Sequence, residues 1–292
     1  MASGRDLKRR IASVKSTQQI TKAMKMVAAA RLRRAQDAIV RARPYAAAIK
    51  DVAQNLARID GLRDSHPILA RRTVKRVNVV LLTSDRGLCG GFNSNLIKRA
   101  EALYKSEHSK YERLVFTTIG KRGYEYLRLR KIPVQKNYAE FFKGLNFAKS
   151  RAVADELMDG FLSGEFDEIR IIYAEFRSAI SQIVMQETLL PVGLDGAANE
   201  NKSSTVGPDF VFEPSAEIVL ESLLPRYFRA KIYKALLESQ ASEYGARMAA
   251  MDSATKNAGE MIRKLTLEYN KHRQASITKE LLEIISGAEA LK

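Results

Sequence analysis

The sequence predicts an α/β fold with two long terminal helices that pair as a coiled coil. An apolar seven-residue repeat runs through residues 1–60, and a complementary pattern of small residues runs through residues 209–292. Between them, β-rich apolar segments alternate with helical segments. A seven-residue repeat held over many turns is typical of a coiled coil, and alternating strands and helices predict a parallel sheet.

The first element is a predicted helix over residues 3–59. This segment is rich in Ala, Arg, Lys, Gln and Met, and Pro44 is its one proline. Such a composition favours a helix, which we expect Pro44 to perturb only mildly. Ser3 followed by Asp6 resembles a capping box, and Gly61 is placed where a helix would end.

The seven-residue repeat defines two series of positions on one side of this helix, here called the seam. One series is Leu7, Val14, Thr21, Ala28, Ala35, Ala42, Ile49 and Leu56, and the other is Ile11, Gln18, Lys25, Leu32, Ile39, Ala46 and Ala53. Alanine replaces the leucine of a dimeric zipper in the middle of the seam, and Gln18 and Lys25 are polar. The seam therefore favours a partner helix with small residues over a second copy of itself.

The C-terminal segment supplies such a partner. Small residues recur there in steps of four and three, at Ala235, Ser239, Ser242, Ala246, Ala249 and Ser253. After a phase drift the same spacing resumes at Ile262, Leu265, Tyr269, His272 and Ser276. We expect a helix over about residues 215–290, kinked or broken at Pro225.

The central segment, residues 74–194, is predicted to be a Rossmann-like parallel-sheet domain. Its predicted strands are 74–82, 114–119, 169–174 and 181–190, with helices that include 94–105 and 146–163. Residues 195–208 are polar and rich in helix breakers, so we expect a linker or mobile loop there.

The charge of the chain is strongly basic and unevenly distributed. The net charge is +16, and residues 1–60 alone hold 14 Lys and Arg against 4 Asp and Glu. A basic face of this kind suits phosphates, acidic lipids or an acidic protein surface, and a merely solvated face is the alternative. No run approaches the ~18 apolar residues needed to cross a bilayer, so we expect an unexported, soluble chain.

The sequence predicts no catalytic, cofactor or metal site. The glycine-rich loop 84–92, SDRGLCGGF, matches neither GxGxxG nor GxxxxGK[ST], so tight-turn chemistry is favoured over nucleotide binding. Cys89, the one cysteine, excludes an internal disulfide and is expected to be a small buried residue. Glu280 and Glu283 fit a solvated face. The histidines have no ligand spacing; they are His66, His108 and His272.

Four segments resemble the gamma-subunit family of F-type ATP synthases. They are IASV at 11–14, QITKAMKMVAA at 19–29, SDRGLCGGFN at 84–93 and YNKHRQASITKELLEIISGAEA at 269–290. The last holds the spacing of the family's C-terminal signature at Ile277, Thr278, Glu280, Glu283, Gly287 and Ala288. The four motifs occur in the family's order and span almost the whole chain.

This resemblance implies a rotor shaft without catalytic activity of its own. In the family, the terminal helices form an antiparallel coiled coil inside a ring of three alpha and three beta subunits. The α/β domain forms a foot beside the epsilon subunit and the c-ring, and rotation driven by protons or sodium cycles the catalytic beta subunits. The resemblance further implies no cofactor and no nucleic acid, and a peripheral position on the cytoplasmic face of a bacterial inner membrane, through the complex only.

The resemblance also assigns two sets of contact residues. A basic patch facing acidic loops on beta, together with two matches to residues used near that loop, gives Lys22, Lys25, Arg31, Arg33, Arg34, Met24 and Arg247. A catch that holds the upper shaft gives Arg273, Gln274 and Thr278. Two alternatives stay open, in which Met24 packs in the seam and Thr278 caps or is solvated.

Two other functions compete with the rotor interpretation. A nucleic-acid-binding coiled coil fits the charge but predicts aromatic platforms, whereas residues 1–60 contain one aromatic residue, Tyr45. A Rossmann-type enzyme with helical extensions requires a phosphate loop and acid–base residues that the sequence lacks.

Overall fold

The computed structural model describes residues 4–56, 66–70, 72–193, 213 and 215–289. The chain divides into two compact units: unit 1 contains Met1–Ala29 and Arg247–Lys292, and unit 2 contains Ala30–Ala246. The elements are α1 (Gly4–Leu56), β1 (Arg76–Leu82), α2 (Phe92–Glu107), a 3-10 turn (His108–Lys110), β2 (Arg113–Ile119), α3 (Lys121–Leu129), β3 (Val134–Tyr138), α4 (Phe147–Leu162), β4 (Glu168–Phe176), β5 (Gln182–Leu190) and α5 (Ala216–Glu289).

Helix α1 confirms the predicted seam. Every position of both seam series is buried or half-buried, while the intervening Lys and Arg positions are mostly exposed. Pro44 lies inside the helix without interrupting it. The expected cap at Ser3 and stop at Gly61 lie outside the described residues.

Helix α5 confirms the predicted C-terminal helix, but the alternative of a break at Pro225 is wrong. The helix runs through the proline without interruption. Leu224 and Phe228, on either side of it, are fully buried in the core, and their packing offsets the hydrogen bond that proline cannot make. The placement of Ser253 in the seam is also wrong, because its side chain is exposed and Met251 is buried instead.

The central sheet confirms the predicted α/β domain, with one difference in strand direction. Its order is β3-β2-β1-β4-β5. The first three pairings along this order are parallel, whereas β4 and β5 are antiparallel. A short turn joins β4 to β5, with the Ser178 amide donating to the Ser181 carbonyl at 3.0 Å, and so short a connection cannot make a parallel crossover.

Two hydrophobic cores cover the two faces of this sheet. Alternate residues of β1 point to opposite faces, as the two-residue period of a strand requires. Val77, Val79 and Leu81 pack against α2 and α3, while Val80 and Leu82 join the core that contains α4 and buried residues of α1 and α5. Both cores belong to unit 2.

Candidate interaction surfaces of the two long helices

The two helices of unit 1 run antiparallel and contact each other through polar groups. Lys25 Nζ lies 2.5 Å from Asp252 Oδ1. Further towards the start of α1, the hydroxyl oxygens of Thr21 and Thr255 are 2.8 Å apart. From one contact to the next, the residue number falls along α1 and rises along α5. The predicted antiparallel coiled coil is therefore confirmed within this unit.

The predicted basic patch is divided between the units. Lys22 belongs to unit 1, whereas Arg31, Arg33 and Arg34 belong to unit 2, and all four side chains are exposed. The guanidinium of Arg31 lies 5.9 Å from the centre of the Tyr244 ring. These exposed cations leave a positive potential on α1 that an acidic partner surface would complement.

Lys25 differs from the rest of the patch because it is half-buried and paired across the seam. Hydrogen bonds from Lys25 and then from Lys256 hold the pKa of Asp252 below its usual range. Lys25 is therefore engaged by its own chain in this structure. The sequence predicts Lys25 both as a seam residue and as a member of the basic patch. In the structure its side chain lies in the seam.

The two motif matches near the patch, Met24 and Arg247, are both half-buried members of unit 1. This burial is intermediate between that of a seam residue such as Ala28 and that of a fully solvated residue such as Lys22. The contact of Met24 with beta stays a prediction.

The predicted catch residues lie close together on the exposed surface of α5. Arg273, Gln274 and Thr278 are all exposed. The hydroxyl of Thr278 donates to the backbone carbonyl of Gln274 at 3.0 Å, one helical turn earlier. The alternative that Thr278 caps a helix end is wrong, because it lies inside α5.

The structure adds an apolar surface that the sequence interpretation missed. Near the end of α5, five large apolar side chains are between 48% and 68% exposed: Ile277, Leu281, Leu282, Ile284 and Ile285. Large exposed apolar patches mark protein–protein contacts. The signal in the sequence is that LLEII continues the helix beyond the last seam residue, Ser276.

The glycine-rich loop between β1 and α2 is a closed turn. Leu88 and Gly90 adopt positive φ angles of 64° and 56°. The Ser84 amide donates to Asn93 Oδ1 at 3.0 Å, and Asn93 Nδ2 contacts the Ser84 hydroxyl at 2.8 Å. Cys89 is only 2% exposed, as predicted. Ser84 and Asn93, two polar side chains at the two ends of this loop, therefore hydrogen-bond to each other.

Unit 2 also contains a cleft of about 750 Å³ lined by α1, α5, β4, β5 and the first residue of α4. Most of its lining is apolar or aromatic. Burial raises the pKa of Glu238, although Lys234 nearby opposes the shift. Burial likewise lowers the pKa of Lys231, against the effect of Glu187. Each of these buried charges thus has an oppositely charged neighbour within the unit.

Within the described part of the chain, no cluster of three or more His, Cys, Asp or Glu side chains could hold a metal ion. A search of the same residues for an apolar helix of membrane-spanning length finds none.

Comparisons with known proteins agree on one family. The family model described as ATP synthase matches residues 3–291. The ATP synthase gamma chain of Geotalea daltonii is 51% identical over 292 residues, covering both chains completely. That of Anaeromyxobacter sp. strain Fw109-5 is 49% identical over 294 residues, again with complete coverage of both chains.

Solved structures show the same fold. A chain in the central stalk and c-ring of the Tetrahymena thermophila mitochondrial ATP synthase matches with a TM-score of 0.63 and 26% identity, over 80% of this chain and 99% of that one. A chain from the OSCP/F1/c-ring part of the Euglena gracilis mitochondrial ATP synthase matches with a TM-score of 0.67 and 22% identity, over 99% and 94%.

Proposed function

Since this chain belongs to the ATP synthase gamma-chain family, we propose that it is the central rotor shaft of a bacterial F-type ATP synthase. It couples ion-driven rotation of the c-ring to the conformational cycle of the catalytic beta subunits, and it catalyses no reaction itself. The observation that carries this proposal is the antiparallel pairing of α1 and α5 in unit 1 through small and polar residues. A seam of small residues keeps two helices close, and a thin pair of helices can turn inside a ring of subunits.

The exposed cations of α1 form the proposed surface for beta. Lys22, Arg33 and Arg34 are exposed, and they face acidic loops on beta in this proposal. Charge complementarity at solvated positions favours steering and weak, exchangeable contacts over a locked interface. A rotor needs contacts of that kind, because each must break as the shaft turns. Met24 and Arg247, which belong to unit 1, also contact beta in this proposal.

The end of α5 forms the proposed catch within the ring of alpha and beta subunits. Arg273, Gln274 and Thr278 supply polar groups there, and Ile277 and Leu281 supply exposed apolar surface. Burying that apolar surface against the ring favours assembly by a gross term of about 25 cal/mol for each Å² removed from water, which the entropy lost on association offsets in part.

The α/β domain is the proposed foot, in contact with the epsilon subunit and the c-ring. The chain then associates with the cytoplasmic face of the inner membrane only as a peripheral part of the complex. The bacterial origin of the gamma chains that are 47–51% identical supports this location.

Reconstitution tests the proposal. The chain is mixed with purified alpha and beta subunits, and ATP hydrolysis is compared for the full chain and for a truncation that lacks residues 269–292. We expect a stable complex whose hydrolysis depends on the full chain, and weaker assembly or coupling with the truncation. A chain that forms no complex at any salt concentration and retains nucleic acid instead would contradict the proposal.

A further inference from the structure

Three polar contacts cross between the helices of unit 1 at successive turns of the seam, and the proposed function leaves them unexplained. Lys25 Nζ lies 2.5 Å from Asp252 Oδ1. The hydroxyl oxygens of Thr21 and Thr255 are 2.8 Å apart, and Gln18 Nε2 donates to the carbonyl of Thr255 at 3.4 Å. On α1 these residues follow the three- and four-residue steps of one helix face, so they form one continuous polar layer.

The remaining contacts of this seam specify the register of the helices weakly. Among the described residues of unit 1, the buried side chains are Leu7, Thr21, Ala28 and Met251. Thr21 and Ala28 are small, and the larger apolar side chains elsewhere in this seam, such as Ile11 and Leu265, are only half-buried, so these contacts restrict a slide along the helix axis less sharply than directional polar contacts do. A slide of one turn displaces the helix by about 5.4 Å, which would separate every donor of the polar layer from its acceptor.

We propose that this polar layer is a register clasp, which fixes the residues of α5 that lie beside Lys22 and Met24 of α1 within unit 1. The clasp consists of Gln18, Thr21, Lys25, Asp252 and Thr255. Hydrogen bonds and ion pairs are directional, so a shifted register loses them and is disfavoured. All five are positioning residues. The inference goes beyond the proposed function, because it concerns helix pairing within the chain alone.

The surroundings of Asp252 make the clasp accessible to experiment. Asp252 Oδ2 also lies 3.0 Å from Lys256 Nζ on its own helix. The side chains of Lys25 and Asp252 are 42% and 32% exposed. Replacing Lys25 therefore leaves Asp252 with a cation and with access to water. A substitution there removes the connection between the helices without burying a lone charge.

The register can be measured as a distance in the full-length chain. Spin labels are attached to cysteines introduced at Lys8 and Lys271, which are exposed residues of unit 1, and pulsed dipolar spectroscopy gives the distance distribution. The buried Cys89 stays unlabelled. We expect a single narrow distance for the native seam, and a broadened distance distribution for Lys25→Asp and for Asp252→Lys. The combined exchange should restore the narrow distance. Lys15→Asp, an exposed change outside the seam, should leave it unaltered.

A second variant avoids charge reversal. The triple change Lys25→Met, Thr21→Val and Thr255→Val removes the ion pair and the hydroxyl contacts while keeping similar side-chain volumes. We expect a broadened distance at unchanged helix content by circular dichroism. If the charge-reversal variants lose helix content, the distance measured in this triple variant decides whether the polar layer sets the register. A native, narrow distance in either single reversal or in the triple variant overturns the clasp, as does a combined exchange that fails to restore it. The result is independent of rotor activity, so it separates the clasp from the proposed function.

Discussion

At Gly120, between β2 and α3, the backbone leaves no room for a side chain. Its φ is +105°, and a Cβ there would lie 2.0 Å from the carbonyl oxygen of Thr83. Gly144 offers a matched control, since its φ is +69° but a Cβ would meet nothing within 4 Å. We expect Gly120→Ala to lower the free energy of unfolding by at least about 3 kcal/mol, and Gly144→Ala by about 1 kcal/mol. Urea denaturation measures both, and equal losses would contradict the steric explanation.

Asp167 connects the start of β1 to the start of β4 and makes stability depend on pH. It accepts hydrogen bonds from the backbone amides of Lys75 and Arg76, at 3.1 and 2.9 Å, and from the Arg76 side chain. Burial alone would raise the pKa of Asp167, but these hydrogen bonds, that of the Arg76 side chain foremost, hold it below the usual range. Because the folded pKa is lower than the unfolded one, the stabilisation is present above about pH 4 and is lost as the pH falls through the folded pKa.

We therefore expect Asp167→Asn to lower the free energy of unfolding at pH 7 by about 1–2 kcal/mol. The difference from the native chain should shrink as the pH falls below about 4. Thermal or urea unfolding at pH 7 and pH 3 measures this. A difference that is the same at both values would mean that the charge of Asp167 is not the cause.

At the scale of elements, the sequence predicts the helices whose apolar residues are strongly periodic and the strands that are strongly apolar. The α1 seam follows directly from its repeat, and β1, β2 and β4 follow from buried β-branched runs. Helix α3 and strand β3 were missed. Strand β3 has the sequence VQKNY, has no fully buried residue and pairs with β2 alone, so it carries neither an apolar run nor an alternating pattern. Its position depends on tertiary pairing, which single-sequence patterns do not contain.

The candidate surfaces were predicted less completely than the fold. The exposed cations of α1 were found because charge is visible in the sequence. The pairing of Lys25 with Asp252 was not found from the sequence, because it depends on which turns of two distant helical segments contact each other. Ser253 was misplaced for the same reason: a phase drift in a helix of small residues moves the seam from one neighbouring position to another.

The basic side of α1 leads to a prediction about association with the ring of alpha and beta subunits. Arg33→Glu combined with Arg34→Glu should slow association about tenfold at low salt, because it reverses the charges that steer the encounter. The difference should shrink at high salt through screening. Stopped-flow mixing measures the rates. The matched control, Lys98→Glu with Lys110→Glu, makes the same charge change at exposed positions outside this helix. An equal effect in the control would indicate net charge instead of a specific surface.

At the scale of the whole molecule, the two units differ in how they are stabilised. Unit 2 contains two apolar cores on the faces of the sheet. The described residues of unit 1 bury few side chains, and its helices are mostly exposed. Local opening is easiest where few apolar contacts protect the backbone. We expect amide hydrogens of residues 8–24 and 254–275 to exchange faster than those of β1 and β4 in the isolated chain, by hydrogen-exchange mass spectrometry. Uniform protection across both units would contradict this.

The role of the chain is less visible in any single residue than in the order of its motifs. Composition and charge leave a nucleic-acid-binding coiled coil open, and the α/β domain by itself leaves an enzyme open. Four separate motifs in one order select one family, and the paired helices then give the proposed function a physical basis. The apolar end of α5 was missed because exposed apolar residues in a helix look like core residues until their lack of a partner is seen.

Direct observation of rotation tests the central claim. A bead is attached to a cysteine introduced in place of the exposed Lys110, in unit 2, and the chain is assembled with surface-fixed alpha and beta subunits. The rotor account predicts unidirectional rotation on addition of ATP, with three pauses in each turn, one for each beta subunit. Full ATP hydrolysis with a stationary bead would contradict it.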